Sequence, residues 1–225
     1  MLQLRVLPAQ VRWQLGLARP GVLVDVTKLT IPDSPAARRA EEHCREVSPP
    51  YLVNHCLRTY LWAQVLAHPA GLGVDDELLY VASLLHDLGL TERYRVSESG
   101  AACFALRGAE GARKLIDGFE WPERRGHALA EAIALHLNLS VGIEYGAEAL
   151  LLNAATALDV TGLRIWEVHP DSVRAVIDRH PRLAMKAEIL PAWQREANTH
   201  PGTRAHFLSR YLQFPARIRG APFTD

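Results

Sequence analysis

The sequence predicts an all-α protein: a helical bundle preceded by a short irregular or extended N-terminal segment. Three observations carry that prediction. Alanine and leucine are abundant and aromatic residues make up only 7% of the 225 residues, a bias toward helix formers over strand formers. Apolar residues recur at helical spacing between stretches punctuated by proline and glycine. The alternation of strands and helices that marks a doubly wound nucleotide fold is missing.

The elements follow in order. Val11 to Leu17 reads as a short helix, and Gly21 to Val26 as extended through its β-branched content. Asp33 or Ser34 before Pro35 is a helix start, because a capping oxygen meets orphan N–H groups and proline fits the first turn. Ala36 to Val47 follows, and Ser48-Pro49-Pro50 stops it. Tyr51 to Leu66 shows no clean apolar stripe and is read as a helix buried on several sides. Asp75 caps the next helix, Asp76 to Leu88, with Gly89 placed to end it. Further helices are expected at about 101–116, 123–137 (opened by Pro122), 145–158, 172–179, 183–197 and 203–212. The organisation implied is an N-terminal extension (1–31), one domain (32–215) and a tail (216–225), with no internal repeat or low-complexity tract.

Composition limits the function classes. Lys plus Arg and Asp plus Glu are 25 each, so there is no overall electrostatic footprint for nucleic acid or an acidic membrane. No stretch is long and apolar enough to span a bilayer, and residues 1–21 lack the pattern of a signal peptide. Cys44, Cys56 and Cys103 are odd in number and form no CxxC pair, which reads as reduced thiols in a cytoplasmic protein. The expected partner is a small-molecule substrate, and formation of a homodimer is left open.

The chemistry concentrates in Leu84-Leu85-His86-Asp87-Leu88-Gly89. A histidine and an aspartate side by side at the end of an apolar helix are costly to bury unpaired. Neighbouring helical positions point about 100° apart, so both side chains can reach one ion beside the helix end. His55 on the preceding helix and Asp159 near the end of the apolar run from Leu150 are further polar intrusions in a core surface. Two imidazoles and two carboxylates balance the charge of one divalent cation. The mixed shell suits Zn, Fe, Mn or Ni better than Mg or Ca, which favour all-oxygen shells.

The order His…His-Asp…Asp on separate helices resembles the HD superfamily. The region from about Pro32 to Trp166 is similar, more narrowly, to its cyanamide hydratase branch. The residues that carry the resemblance are Asn54-His55-Cys56-Leu57-Arg58-Thr59-Tyr60, Leu85-His86-Asp87-Leu88-Gly89-Leu90-Thr91, Cys103-Phe104, Ala130 to His136, and Ala155 to Gly162. The resemblance implies an HD-domain helical bundle holding one divalent transition metal through His55, His86, Asp87 and Asp159. It implies water chemistry in which hydroxide generated at the ion attacks a small molecule. Asp87 is then the proton acceptor and His136 the group that returns a proton; Asn54, Arg58, Thr91 and Phe104 are candidate substrate contacts.

Two departures alter the expected substrate. Cyanamide hydratases carry paired threonines after His-Asp-hydrophobe-Gly, whereas Leu90 takes the first place here and only Thr91 remains. They carry Ser-Phe-Glu where this chain has Cys103-Phe104-Ala105. Both changes make the pocket more apolar and point away from cyanamide itself. A phosphohydrolase acting on a nucleotide or phosphate ester is the alternative, with Arg58, Arg93, Arg95 and Arg107 as its candidate cations. A non-catalytic metal-binding sensor module is the third reading.

Overall fold

A computed structural model describes Val11 and residues 21–98 and 101–225 of the chain. Ten α-helices run through the described residues: α1 (Pro35–Val47), α2 (Pro50–Ala67), α3 (Asp76–Leu85), α4 (Phe104–Ile116), α5 (Glu123–Leu135), α6 (Ala147–Thr161), α7 (Pro170–Arg179), α8 (Met185–Thr199), α9 (Arg204–Leu212) and α10 (Phe214–Arg219). The only β pairing among them is an isolated bridge between Val22 and Val168. The all-α expectation holds, and the extended segment at 21–26 reduces to that bridge and a 3-10 turn at Val26–Lys28. The helix expected at Val11 to Leu17 lies, Val11 apart, outside the described residues.

Local chemistry explains the helix starts. Ser34 accepts a hydrogen bond from Ala37 N and Pro35 occupies the first turn of α1. Asp75 does the same for α3 by accepting from Leu78 N. The buried face of α1 is small, with Ala36, Ala37, Ala40 and Cys44, which lets it lie against α3. Helix α2 is the central element. It is apolar nearly all round and packs against α3, α6, α7 and α8, which is why its sequence shows no single stripe. All three cysteines are free and buried.

Two boundaries differ from the sequence reading in a way that shapes the site. Helix α3 stops at Leu85 rather than running to Leu88. The chain then turns tightly, with Leu90 N donating to Asp87 O and Thr91 N to Leu88 O, both at 2.9 Å. Gly89 sits inside this turn instead of ending the helix, because a Cβ there would stand 2.1 Å from the carbonyl oxygen of Phe104. The second difference is at the end. Phe214–Arg219 forms α10, Phe223 is buried against Trp62, and this region is built into the body of the protein.

Two apolar clusters result. The larger is formed chiefly by α1–α7; the smaller joins Cys103, Phe104 and Leu137 to Met185, Ile189 and Trp193 of α8 and to α9 and α10. His136 stands between them, with its ring against Phe104 of the smaller cluster.

Candidate metal centre

Three histidines approach one another from three different helices, and each ring is fixed from behind. His55 lies on α2, and its Nδ1 is 2.7 Å from Asp159 Oδ2. His86 follows α3 directly, and its Nδ1 is 2.8 Å from the Ser83 carbonyl oxygen. His136 follows α5, with Nδ1 2.6 Å from the Ile133 carbonyl oxygen. A carbonyl or a carboxylate can only accept, so each Nδ1 carries the proton and, in the neutral ring, each Nε2 presents a lone pair. The last carbonyls of a helix have no partner within it, so a histidine just past the end can fold back to satisfy one.

The three lone pairs point into a common space beside Asp87. His55 Nε2 and His86 Nε2 are 3.1 Å apart. Asp87 Oδ2 lies 3.4 Å from each of them. Its other oxygen, Oδ1, lies 3.6 Å from His136 Nε2, a buried atom with no hydrogen-bond partner. One donor from each of His55, His86 and Asp87 falls within 4.8 Å of the others. With both rings neutral, acceptors so close repel unless a proton or a metal cation joins them. The site therefore fits a divalent ion held by His55, His86 and Asp87, with His136 beside it.

Electrostatics favours an ionised Asp87 and a neutral His136. Burial raises the pKa of Asp87, yet the neighbouring rings of His86 and His55 outweigh it and hold the carboxyl well below its usual range. Burial pulls His55 down, but Asp159 and Asp87 win and raise it, so with the site empty its Nε2 holds a proton more readily, and a bound cation would take that proton's place. His136 is different: burial, and then the charge of His86, lower it to about 3. It is held as a neutral imidazole, whose Nε2 lone pair is open to a metal or a hydrogen-bond donor.

The remaining expected residues are placed as follows. Asp159 stands behind His55, outside the convergent donors. Its Oδ1 accepts from Arg58 Nε and Trp62 Nε1, both at 2.7 Å, and its Oδ2 from Arg58 Nη2 at 2.8 Å as well as from His55. Its contact with the convergent donors is through the His55 ring. Arg58 is wholly buried, and its Nη1 donates to the carbonyls of His180 and Pro181. Of the expected substrate contacts, Arg58 is the one whose guanidinium is engaged with Asp159 and these carbonyls. Asn54 Nδ2 donates to Pro181 O at 2.8 Å. Thr91 Oγ1 donates to Leu88 O at 2.7 Å and steadies the turn. Phe104 packs on the His136 ring, centroids 5.6 Å apart, and is the one candidate contact that touches the cluster.

Sequence reasoning missed Trp62, Arg182 and the two supporting carbonyls. The signal for Trp62 was available: His55, Arg58 and Trp62 are spaced i, i+3, i+7 and share a helix face. Arg182 reaches Asp159 O from a loop with no periodicity to mark it.

The HD domain family matches residues 52–200. Two curated relatives, Cyanamide hydratase DDI2 and Cyanamide hydratase DDI3 of Saccharomyces cerevisiae, are each 31% identical over 157 residues, covering 68% of this chain and 68% of the relative. The family match spans α2 to α8, the helices that deliver His55, His86, Asp87, His136 and Asp159. From sequence and fold together, the chain belongs to the HD superfamily of metal-dependent hydrolases and hydratases, and within it resembles the cyanamide hydratases.

Proposed function

We propose that this protein adds water to a small, uncharged carbon electrophile of the nitrile type, with cyanamide itself disfavoured. The observation that carries the reading is the meeting of His55 Nε2, His86 Nε2 and Asp87 Oδ2, with the unpartnered His136 Nε2 facing Asp87 Oδ1. A divalent ion held there would supply Lewis acidity that makes water a nucleophile at neutral pH.

The protein's own groups handle the protons. Asp87 has one oxygen toward the two rings and the other toward His136, and the second is placed to accept a proton from water. His136, neutral with a free lone pair, takes that proton and returns it to the substrate nitrogen. In the balance, the water oxygen bonds the carbon, one C–N π pair becomes an N–H bond, and no other reactant is required.

Substrate size and charge follow from the surroundings. Asp87 is 5% exposed and His55, His86 and His136 are buried, which supports a small substrate. Leu90 and Phe104 bring apolar surface to the neighbourhood. The cations that a phosphate ester would need are already paired: Arg58 with Asp159, Arg93 with Glu46, Arg95 with Glu92 and Arg107 with Glu196. A panel of small nitriles, phosphate esters and nucleotides, assayed with and without Mn, Fe, Ni and Zn, tests the proposal. Metal-dependent turnover of a nitrile is the expected result. Turnover of phosphate esters alone would overturn it, and metal binding with no turnover of any would favour a sensor.

A further inference from the structure

Behind His55 lies a set of charges that the convergent donors do not include, with Arg58, Asp159 and Arg182 buried and Asp225 at the surface. Asp159 is flanked by two arginines. Arg58 grips its carboxylate through two nitrogens. Arg182, 2% exposed, donates from Nη1 to the Asp159 backbone oxygen at 3.1 Å, and also comes within 3.6 Å of Oδ1. Arg182 is held elsewhere by its Nε, which donates to Asp225 Oδ1 at 2.8 Å.

Asp225 is tied on its other side too. Its Oδ2 accepts from Lys186 N at 2.7 Å, in the first turn of α8, where N–H groups lack helical partners. The turn between Arg182 and Lys186 is strained, since Leu183 (φ 55°) and Ala184 (φ 57°) are both left-handed and neither is glycine. Phe223 closes the arrangement: its ring lies 4.7 Å from the Arg182 guanidinium and stacks on Trp62, the residue that donates to Asp159 Oδ1.

We propose that Arg182 and Asp225 are positioning residues for the metal centre: Asp225 restrains Arg182, and so leaves Asp159 to orient and polarise His55. The inference rests on the metal-centre reading above. The charges of Arg58, Arg182, Asp159 and Asp225 sum to zero. Without Asp225 the set carries a net positive charge behind a cation-binding ring. The nearest carboxylate left to Arg182 is then Asp159, and a full ion pair there draws negative charge away from His55 Nδ1. Both effects weaken the hold on a cation at Nε2.

The test is zinc affinity of the full chain, measured by competition with a chromophoric chelator, with helix content followed by circular dichroism. Asp225→Ala is expected to bind zinc about ten-fold more weakly, in the range seen when a ligand's supporting partner is lost. Asp225→Glu keeps the charge and is expected to stay near the parent. The decisive variant is Asp225→Ala combined with Arg182→Met. It has lost the same cap on Lys186 N and keeps the same strained turn, but the loose guanidinium is gone, so affinity is expected to return most of the way. Parent-like affinity in Asp225→Ala, or no recovery in the double variant, would overturn the proposal. A parent chain that binds no zinc, iron, manganese or nickel would instead remove the metal-centre reading itself.

Discussion

The Nε2 atoms of His55 and His86 face each other at 3.1 Å, and the Nδ1 of each ring is already turned to an acceptor on the opposite side. Neither ring can rotate to relieve the opposition without leaving its acceptor. That conflict makes the pair a cation site and gives the first prediction. His86→Ala is expected to remove metal and activity together, with a larger loss of affinity than the ~10–100-fold that follows loss of a ligand's partner. Helix content by circular dichroism should change little, because His86 lies past the end of α3. Unchanged metal stoichiometry would contradict the assignment.

Asp159 couples stability to the site. Asp159→Ala leaves the wholly buried Arg58 without its carboxylate, and breaking such a pair typically costs about 3–5 kcal/mol. Asp159→Leu combined with Arg58→Met should recover much of that stability, while metal affinity stays low because His55 Nδ1 remains unsupported. Urea unfolding and metal titration of both variants check the two halves separately.

Gly89→Ala tests the turn after the His-Asp pair. The added methyl would meet the Phe104 backbone, 2.1 Å from its oxygen and 2.7 Å from its carbonyl carbon. Neither atom can swing aside as a side-chain tip can, so a loss of about 1–3 kcal/mol is expected, as for overpacking elsewhere. Metal affinity should fall too, because the same turn places Asp87. Thermal unfolding and metal binding equal to the parent would show the contact to be softer than the geometry implies.

Much of this arrangement was legible in the residues. Nine of the ten helices among the described residues follow from spacing and punctuation, and Ser34-Pro35 and Asp75 mark two of their starts by capping chemistry. The adjacent His86 and Asp87 announced a shared ligand. Three things were hidden. The early end of α3 depends on Phe104, fifteen residues further along, leaving no space beside Gly89, a tertiary contact with no local signal. The hydrogen-bond partners of Asp159, Arg58 and Trp62, lie about a hundred positions away, so no local pattern joins them. Helix α10 is short and opens with Gln213 in a left-handed conformation, so its sequence resembles a tail.

His180 supplies a pH dependence away from the metal centre. Burial, followed by the charges of Arg179 and Arg58, lowers its pKa to about 4. The unfolded chain, with a histidine near about 6.5, therefore binds more protons between those values, and stability rises with pH across that window. The contribution is complete above the upper value and is lost as pH falls toward the lower one. His180→Gln should be less sensitive than the parent to a change from about pH 7 to about pH 5 in urea unfolding. The effect is softened by solvent, since the ring is only half-buried. Equal sensitivity of the two proteins would show that His180 titrates normally.

X-ray absorption at the metal edge, on the full chain loaded with zinc, reads the centre most directly. One metal per chain is expected, in a nitrogen and oxygen shell with at least two imidazoles, and that imidazole scattering should vanish in His86→Ala. A chain that takes up no metal, or one whose metal shell contains no imidazole, would contradict the account.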